Sequence, residues 1–474
     1  MMRRAAGLST ALARQLLRGY AQLFLCGNAA SGALIFAGLV IASPSAALWS
    51  LLGAATITAT ARLFPRAAPV ARSGLLTVNG VLLGLGTAWL PGAPTWFKAA
   101  AAAGGSAALA CAMIPMALWL SRRASRFCLL SLPSVAAVWL MLWAAAGLGF
   151  HDPQMVAGGA AVTKGDGPAA RLHWEAASVS GDRAASLRED GLGWACFFEQ
   201  RHAQAGTHFE RAAALDPAAA DPLDGLGWTA LKSGQTGRAE TLFRQAVARD
   251  PLLADSWDGL GWIAWGRADA AQARQCFARA AFCAPLFGDA WGGLAQSARA
   301  TGHARGADLA ETMAKIHAPA ALRFTPITQW VCWALFLLAI LVHSRLSALA
   351  VLGGAGVLAA AAWLGAPVGS ALADANFGCN LAVIAVALAG QYFRPGWAGM
   401  LTLAGSALLM ALAWPSSTNT LPLLWLPCNL VLLAHLAVRR DRVPLDVAAT
   451  DPHSVRLWAK KKDVAQACWR MLER

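Results

Sequence analysis

The chain has 474 residues, 57% hydrophobic and only 14% charged, with a mean hydropathy of +0.48. That balance excludes an ordinary soluble globule, in which about a quarter of the residues are charged. The formal net charge of +14 would suit a nucleic-acid binder, but the basic residues cluster beside apolar segments, which points to a membrane surface instead.

The opening stretch, MMRRAAGLSTALARQLLRG, is basic and amphipathic. It has no adjoining short apolar core and no small-residue cleavage site, so it is read as retained and not as a cleaved signal. Apolar segments follow at 20–43, 45–61, 74–91, 97–120 and 127–149. Several reach the roughly 18 residues that a spanning helix needs. The shorter ones, and those broken by Gly or Pro, are expected to include half-helices that line a cavity. Arg3, Arg4, Arg14 and Arg18 precede the first segment, Arg62, Arg66 and Arg72 follow the second, and Arg122, Arg123 and Arg126 follow the fourth. With the N-terminus inside and five crossings, all three clusters are cytoplasmic.

Two runs in this half carry a family signature. Gly19, Gln22, Phe24, Asn28, Ser31, Gly32, Ser43 and Pro44 form one, and Gly74, Leu75, Asn79 and Leu82 the other. The first resembles the urea transporter run Gly-x-x-Gln-Val-Phe-Phe, then Asn, a small residue and Gly, an apolar helix and Ser-Pro. The second resembles that family's Gly-Leu-x-Gly-x-Asn-x-x-Leu. Its pore motif, Leu-Pro-x-x-Thr-x-Pro-Phe, has a counterpart in FCLLSLPS, where Ser131 stands for Thr and Pro133 is kept, while Cys128 replaces the leading Pro and Ser134 the Phe.

The resemblance implies an all-α polytopic protein of two inverted five-helix repeats, with a path for urea at the axis between them. Urea is planar and neutral, with four N–H donors and one carbonyl acceptor. A slot with apolar walls fits its plane and rejects hydrated ions, and a line of oxygens replaces the hydrogen bonds it leaves in water. Gln22, Asn28 and Ser131 are the expected polar groups of the first half, and Phe24, Leu25 and Leu76 the walls. Asn79 has two readings, a path residue or a bond to a neighbouring helix.

Between the membrane halves lies a soluble insertion. Residues 151–183 contain a Gly-, Ala- and Ser-rich stretch from Gly158 to Arg183 that reads as a linker. From 184 to 316 a 34-residue period sets in. Trp194, Trp228 and Trp262 recur at this spacing, as do Phe209, Phe243 and Phe277, and Pro217, Pro251 and Pro285. In register are Leu192-Gly193, Leu226-Gly227 and Leu260-Gly261, the small residues Ala205, Ala239 and Ala273, and then Ala212, Ala246 and Ala280. This looks like the tetratricopeptide (TPR) family, in three good copies over about 186–285 and a weaker fourth, with Trp291, Leu294 and Ala307, as the cap a solenoid end needs. The family implies a groove that docks a peptide or protein. The tryptophans of the GLGW segments are read as core, with the groove as the alternative.

The second membrane half has apolar segments at 327–342, 346–364, 377–393, 398–414 and 421–438. An offset of 301 residues pairs Ser43 with Ser344, Gly53 with Gly354 and Asn79 with Asn380. An odd number of crossings per half makes the two copies inverted, and the insertion then lies outside, on the periplasmic face. The pore motif recurs as LPLLWLPC, with Leu421, Pro422 and Pro427 kept, Trp425 for Thr and Cys428 for Phe. The offset puts Gln329 opposite Asn28, Trp333 opposite Gly32, and Arg323 where the family has Gln or Glu. Gln329, Phe377, Asn380 and Trp425 complete the candidate path. Trp425 has an indole donor but cannot accept from urea. Arg323 is read as an interface residue, and His435 as a packing residue.

Arg394 and the cluster Arg439, Arg440, Arg442, Lys460, Lys461 and Lys462 fall inside on this scheme, which makes 443–474 a cytoplasmic basic tail after a second half at 317–442. Ten cysteines occur with no CxxC pair, so no zinc or disulfide framework is expected. No triad, metal set or phosphate loop is present, so neither enzyme activity nor a cofactor is expected. The expectation is an inner-membrane urea channel, homotrimeric by family resemblance, with lipid, urea and a TPR ligand as partners and no nucleic acid. Its rivals are a TPR binding protein anchored by a closed pore fold, and a transporter of another small solute.

Overall fold

The computed structural model describes residues 2–65, 74, 76–88, 90, 93–123, 132–150, 152–315, 325–363, 375–386 and 401–409. Among them every regular element is a helix, and the chain divides into two compact units. One holds residues 1–90, 94–144 and everything from 331 onward, and the other holds 145–330 with 91–93.

The membrane-type unit starts with α1, Met2–Ala21. A single 3-10 turn, Gln22–Phe24, ends it at Leu25, whose φ of 56° is left-handed. The chain then bends by 78° into α2, Ala29–Ala42. Asn28 starts α2 by accepting the Ser31 N–H at 2.7 Å, the usual work of an N-cap. Ser43 ends α2 and caps α3, Pro44–Ala61, with Pro44 at the first helical position, where no N–H is needed.

Small residues set how closely these helices approach. A Cβ on Gly32 would run into the Leu17 carbonyl of α1. One on Gly53 would strike the Gly80 carbonyl of α4, Thr77–Ala88, and one on Gly80 would strike Gly53 in return. Gly19 and Gly74 meet Thr77 and the Arg18 carbonyl in the same way. The glycines of both signature runs are therefore packing residues.

A composite helix follows: α5, Thr95–Ala99, a π-helical turn, Ala100–Gly105, and α6, Ser106–Arg123, with Pro115 inside it. Thr95–Pro115 is the described stretch that is long and apolar enough to cross a membrane unbroken, and the bent pair Thr10–Phe24 with Ala29–Ala42 passes the same test jointly. α7, Leu132–Gly147, is apolar and exposes Leu140 and Trp143. The ten segments expected from hydropathy are only partly matched by long helices among the described residues: the break at Gln22–Asn28 shortens the first, and 421–438 lies outside the described residues.

The later part of this unit contributes α18, Ile327–His343, α19, Arg345–Trp363, and α20, Ala375–Val386. Here the 301-residue offset becomes visible in bonds. Ser43 N–H donates to Leu39 O and Ser344 N–H to Ile340 O, both at 2.8 Å. Ser43 Oγ accepts from Ala46 N and Ser344 Oγ from Ser347 N. A Cβ on Gly53 meets Gly80, and one on Gly354 meets Leu381, the residue 301 positions on from Gly80. One hydrophobic core joins the halves, containing Tyr20, Phe24, Ile35 and Val81 beside Ile340, Leu358 and Ile384.

The second unit is a solenoid of paired helices. The regular pairs are α10, Asp182–Phe198, with α11, His202–Leu215; α12, Asp221–Lys232, with α13, Thr236–Arg249; α14, Ala254–Gly266, with α15, Ala270–Cys283; and α16, Gly288–Ala300, with α17, Ala304–Ala314. The consensus has a direct steric meaning here. Phe209 lies between Gly193 and Gly225, Phe243 between Gly227 and Gly259, and Phe277 between Gly261 and Gly293, and a Cβ on any of these glycines would overlap the ring. The connections within the pairs turn at Gln200, Gly234, Ala268 and Gly302, all at φ between 61° and 76°.

The stretch expected as a linker holds two helices instead: α8, Pro153–Lys164, and α9, Gly167–Ala176. Its Gly and Ala content suggested flexibility, but Asp152 and Asp166 cap the two helices ahead of Pro153 and Pro168. Trp174 then takes the place that Phe has elsewhere, wedged between Gly158 and Gly191. The pair is a fifth, divergent repeat, masked in the sequence by Trp in place of Phe and by a spacing of 35 residues from Trp174 to Phe209.

Candidate substrate path and docking face

In the membrane-type unit the break between α1 and α2 gathers the first-half candidates. The turn residues Gln22 and Phe24 are 5% and 2% exposed, and Leu25 is 7% exposed. The left-handed Leu25 returns its N–H to Gln22 O at 3.1 Å, and Cys26 N–H reaches Ala21 O. The turn packs against α20, so the helix bearing Phe377 and Asn380 lies beside Gln22 and Phe24. Phe24 also stacks at a tilt on Phe336 of α18, with centroids 5.2 Å apart.

Asn28 faces the second half as well. Its Nδ2 lies 3.5 Å from His343 Nδ1, and the neighbouring Ser31 hydroxyl donates to Ala339 O at 2.6 Å. One amide oxygen lone pair of Asn28 is thereby spent on the α2 cap. Asn79 and Asn380 are both buried, at 0% and 1% exposure, on α4 and α20. Leu76 is buried too, but among Ile57, Ala110 and Ile114, in a cluster separate from Phe24 and Leu25.

Gln329 differs from Asn28 in setting. It sits inside the first turn of α18 with its N–H on Pro326 O, where Asn28 precedes its helix, so offset pairing does not give the two side chains the same role. Ser131 and Trp425 lie outside the described residues, as do Arg323, Arg394, His435 and the basic tail; Phe377 is placed by its backbone alone.

The structure adds polar groups that the motifs did not flag. Tyr20 and Ser50 share a hydrogen bond of 2.9 Å between α1 and α3, and Thr58 and Thr77 another of 2.9 Å between α3 and the start of α4. His343 meets Asn28 although its offset partner is Ala42, so no sequence signal could have found it. Ser106, where α6 leaves the π-helical turn, is fully buried with no hydrogen-bond partner for its hydroxyl. Among the described residues no group of His, Cys, Asp and Glu converges to hold a metal ion.

The solenoid offers a face. The first helices of successive pairs, α10, α12, α14 and α16, touch one another, while the second helices stand further apart, so the first helices line the inner side. Trp194, Trp228 and Trp262 sit on these helices and meet Phe209, Phe243 and Phe277 edge-on at 5.3, 5.4 and 5.1 Å. All three remain partly exposed, so the two readings of GLGW hold together: one edge joins the core and the rest shows on the face. Asp224 is buried and accepts the Ser256 hydroxyl; Asp258 accepts the Trp262 indole N–H at 3.0 Å. Burial and the neighbouring Asp221 push the Asp190 carboxyl well above the usual carboxylate range, and burial with Asp255 does the same to Asp224.

Comparison with known proteins gives three results. Residues 13–180 match the family model described as urea transporter. No curated protein matches the chain. Among solved structures, the crystal structure of MamA is 19% identical over 33% of this chain and 91% of its own, with a TM-score of 0.27. PilW, titled a widely conserved type IV pilus biogenesis factor, is 19% identical over 45% of this chain and 93% of its own, with a TM-score of 0.30.

Proposed function

From the match of residues 13–180 to the urea transporter family model, we propose that the membrane unit conducts urea, or a similarly small neutral solute, down its gradient, without cofactor or ion coupling. The observation that carries this reading is the buried helix break at Gln22–Asn28 inside the matched region. A broken helix exposes carbonyls that no intrahelical N–H claims. Set beside the Gln22 amide and flanked by Phe24 and Leu25, such carbonyls suit urea's four N–H donors and flat apolar-walled fit. The proposed path takes in Asn28, Asn79 and Ser131 from the first half and Gln329, Phe377, Asn380 and Trp425 from the second.

In this reading residues 1–150 and 317–442 are inverted halves in a bacterial inner membrane, and the subunits assemble as trimers. Both termini are cytoplasmic, because the basic clusters flank the segments on that side. The solenoid, counted from 184 to 316 by its period and preceded by α8 and α9, is periplasmic and docks or regulates. A cysteine label placed in α13 and reached only from the cytoplasm would reverse this orientation.

Purified protein in liposomes, followed by light scattering, tests transport: urea should equilibrate faster than in protein-free vesicles. A second reading is favoured by Trp425, which stands where the family has Thr. There the pore is closed and the membrane unit anchors the solenoid. Absence of flux in both the native protein and Trp425→Thr would remove the channel and leave the anchor.

A further inference from the structure

In the middle of the solenoid the charges are segregated by helix. α12, α14 and α16 carry Asp221, Asp224, Asp255, Asp258 and Asp289, with Lys232 and Arg299 only in their last turns. The second helices α13 and α15 reverse this, with five arginines and Glu240. The three acidic helices line the inner face, together with α10, which carries Arg183 and Arg188 beside Asp182, Glu189 and Asp190. The carboxylates there are paired across repeats: Asp190 lies in the field of Asp221 and Asp224 in that of Asp255, and the 34-residue register repeats the pair as Asp258 and Asp289.

Carboxylates gathered on one face attract cations. On the second helices Glu240 is held by Arg244 and Arg267. On the inner face, Asp190 Oδ1 is buried with no hydrogen-bond partner, and so is Trp228 Nε1, although the equivalent Trp262 donates to Asp258. Partly exposed indoles beside carboxylates are the chemistry that holds guanidinium and ammonium groups, by charge-assisted hydrogen bonds and by the ring face.

We propose that the inner face of the solenoid docks an Arg- and Lys-rich segment of a partner protein, with Asp221, Asp255 and Asp289 as the accessible carboxylates and Trp194, Trp228 and Trp262 as the surfaces on which its basic side chains lie. This rests on the docking role given to the solenoid above and adds the chemistry of the partner. It is independent of whether the membrane unit conducts.

The full-length protein in nanodiscs of zwitterionic lipid tests it, with fluorescein-labelled octa-arginine as probe, octaglutamate and a neutral tryptophan-containing peptide as comparisons, and empty nanodiscs as baseline. Octa-arginine is expected to raise the anisotropy while octaglutamate does not, and its affinity should fall as salt rises from about 50 to about 500 mM. The triple variant Asp221→Asn, Asp255→Asn, Asp289→Asn should weaken binding about tenfold or more with its helical circular dichroism unchanged. Glu210→Gln, on the outer helix α11, should leave it unchanged. Equal binding by the triple variant, or equal loss in Glu210→Gln, overturns the proposal. Binding of the neutral peptide but not of octa-arginine overturns the charge selection and leaves docking standing. Binding of none of the probes removes both.

Discussion

Ser43 and Ser344 occupy the same structural position 301 residues apart: each closes one apolar helix with its N–H and opens the next with its hydroxyl. The two halves are related in their bonding as well as in a few letters of sequence. Ser43→Ala and Ser344→Ala should each destabilise the membrane unit by about 0.5–2 kcal/mol. Thermal melts of the detergent-solubilised protein should show shifts of similar size for the two variants. A large shift in only one would mean that the equivalence stops at the backbone.

Gln22 is the polar side chain at the helix break, buried between α1 and α20. Gln22→Leu keeps the volume near constant and removes the amide. Urea flux in liposomes should fall about tenfold or more, as expected when a hydrogen-bonding group meeting a desolvated solute is lost. Unchanged flux would take Gln22 out of the path.

Each ring of the solenoid is fitted between two glycines. Gly259→Ala brings a methyl group to 2.5 Å from atoms of the Phe243 ring, and the strain of overpacking should cost about 1–3 kcal/mol. The same change at Gly237, where a Cβ meets nothing within 4 Å, should be neutral or slightly stabilising through helix propensity. Denaturant melts that ranked the two in the opposite order would contradict the ring-and-glycine packing.

Ala268 adopts a φ of 63° at the loop position where the second and fourth regular repeats have Gly234 and Gly302. A left-handed non-glycine residue costs about 1–2 kcal/mol, and the extra unfolded-state freedom of glycine returns about 0.5–1 kcal/mol of that. Ala268→Gly should therefore raise the melting temperature of the solenoid slightly. A clear fall would show that the alanine methyl makes a contact that outweighs the strain.

The pH response of the solenoid has two opposed parts. Asp190 and Asp224 hold their protons more tightly folded than unfolded, so their stabilisation is full below the unfolded carboxylate range, near pH 4, and is lost as pH rises through their folded values. Glu199, held low by its hydrogen bonds to Arg201 and Arg171, and Glu240, held low by Arg267, behave oppositely: their contribution is present above that range and lost as pH falls. Asp224→Asn should raise the melting temperature at pH 8, and the gain should shrink towards pH 4. A gain that is constant with pH would assign the effect to packing and not to charge.

Much of this was legible in the sequence because it rests on local spacing. The 34-residue period predicts the helix pairs, and the Leu-Gly and Phe positions prove to be ring and socket. The caps at Asn28 and Ser43 fall where the signature runs put polar residues ahead of apolar helices. What escaped depends on long-range contact or on a change of both residue and spacing. Trp174 hid a repeat by replacing Phe, and His343 meets Asn28 across 315 residues with nothing in either segment to announce it. Leu76 is expected as a wall beside Phe24 and Leu25, yet it packs with Ile57 and Ile114 in a separate cluster.

Phe209, Phe243 and Phe277 each belong to two neighbouring repeats at once, since the glycines that seat each ring come from both. No repeat owns its complete core, and a helix pair that loosens strips a wall from the next pair's ring as well as its own. The solenoid is in this sense a linear lattice of shared rivets, in which each repeat depends on its nearest neighbours.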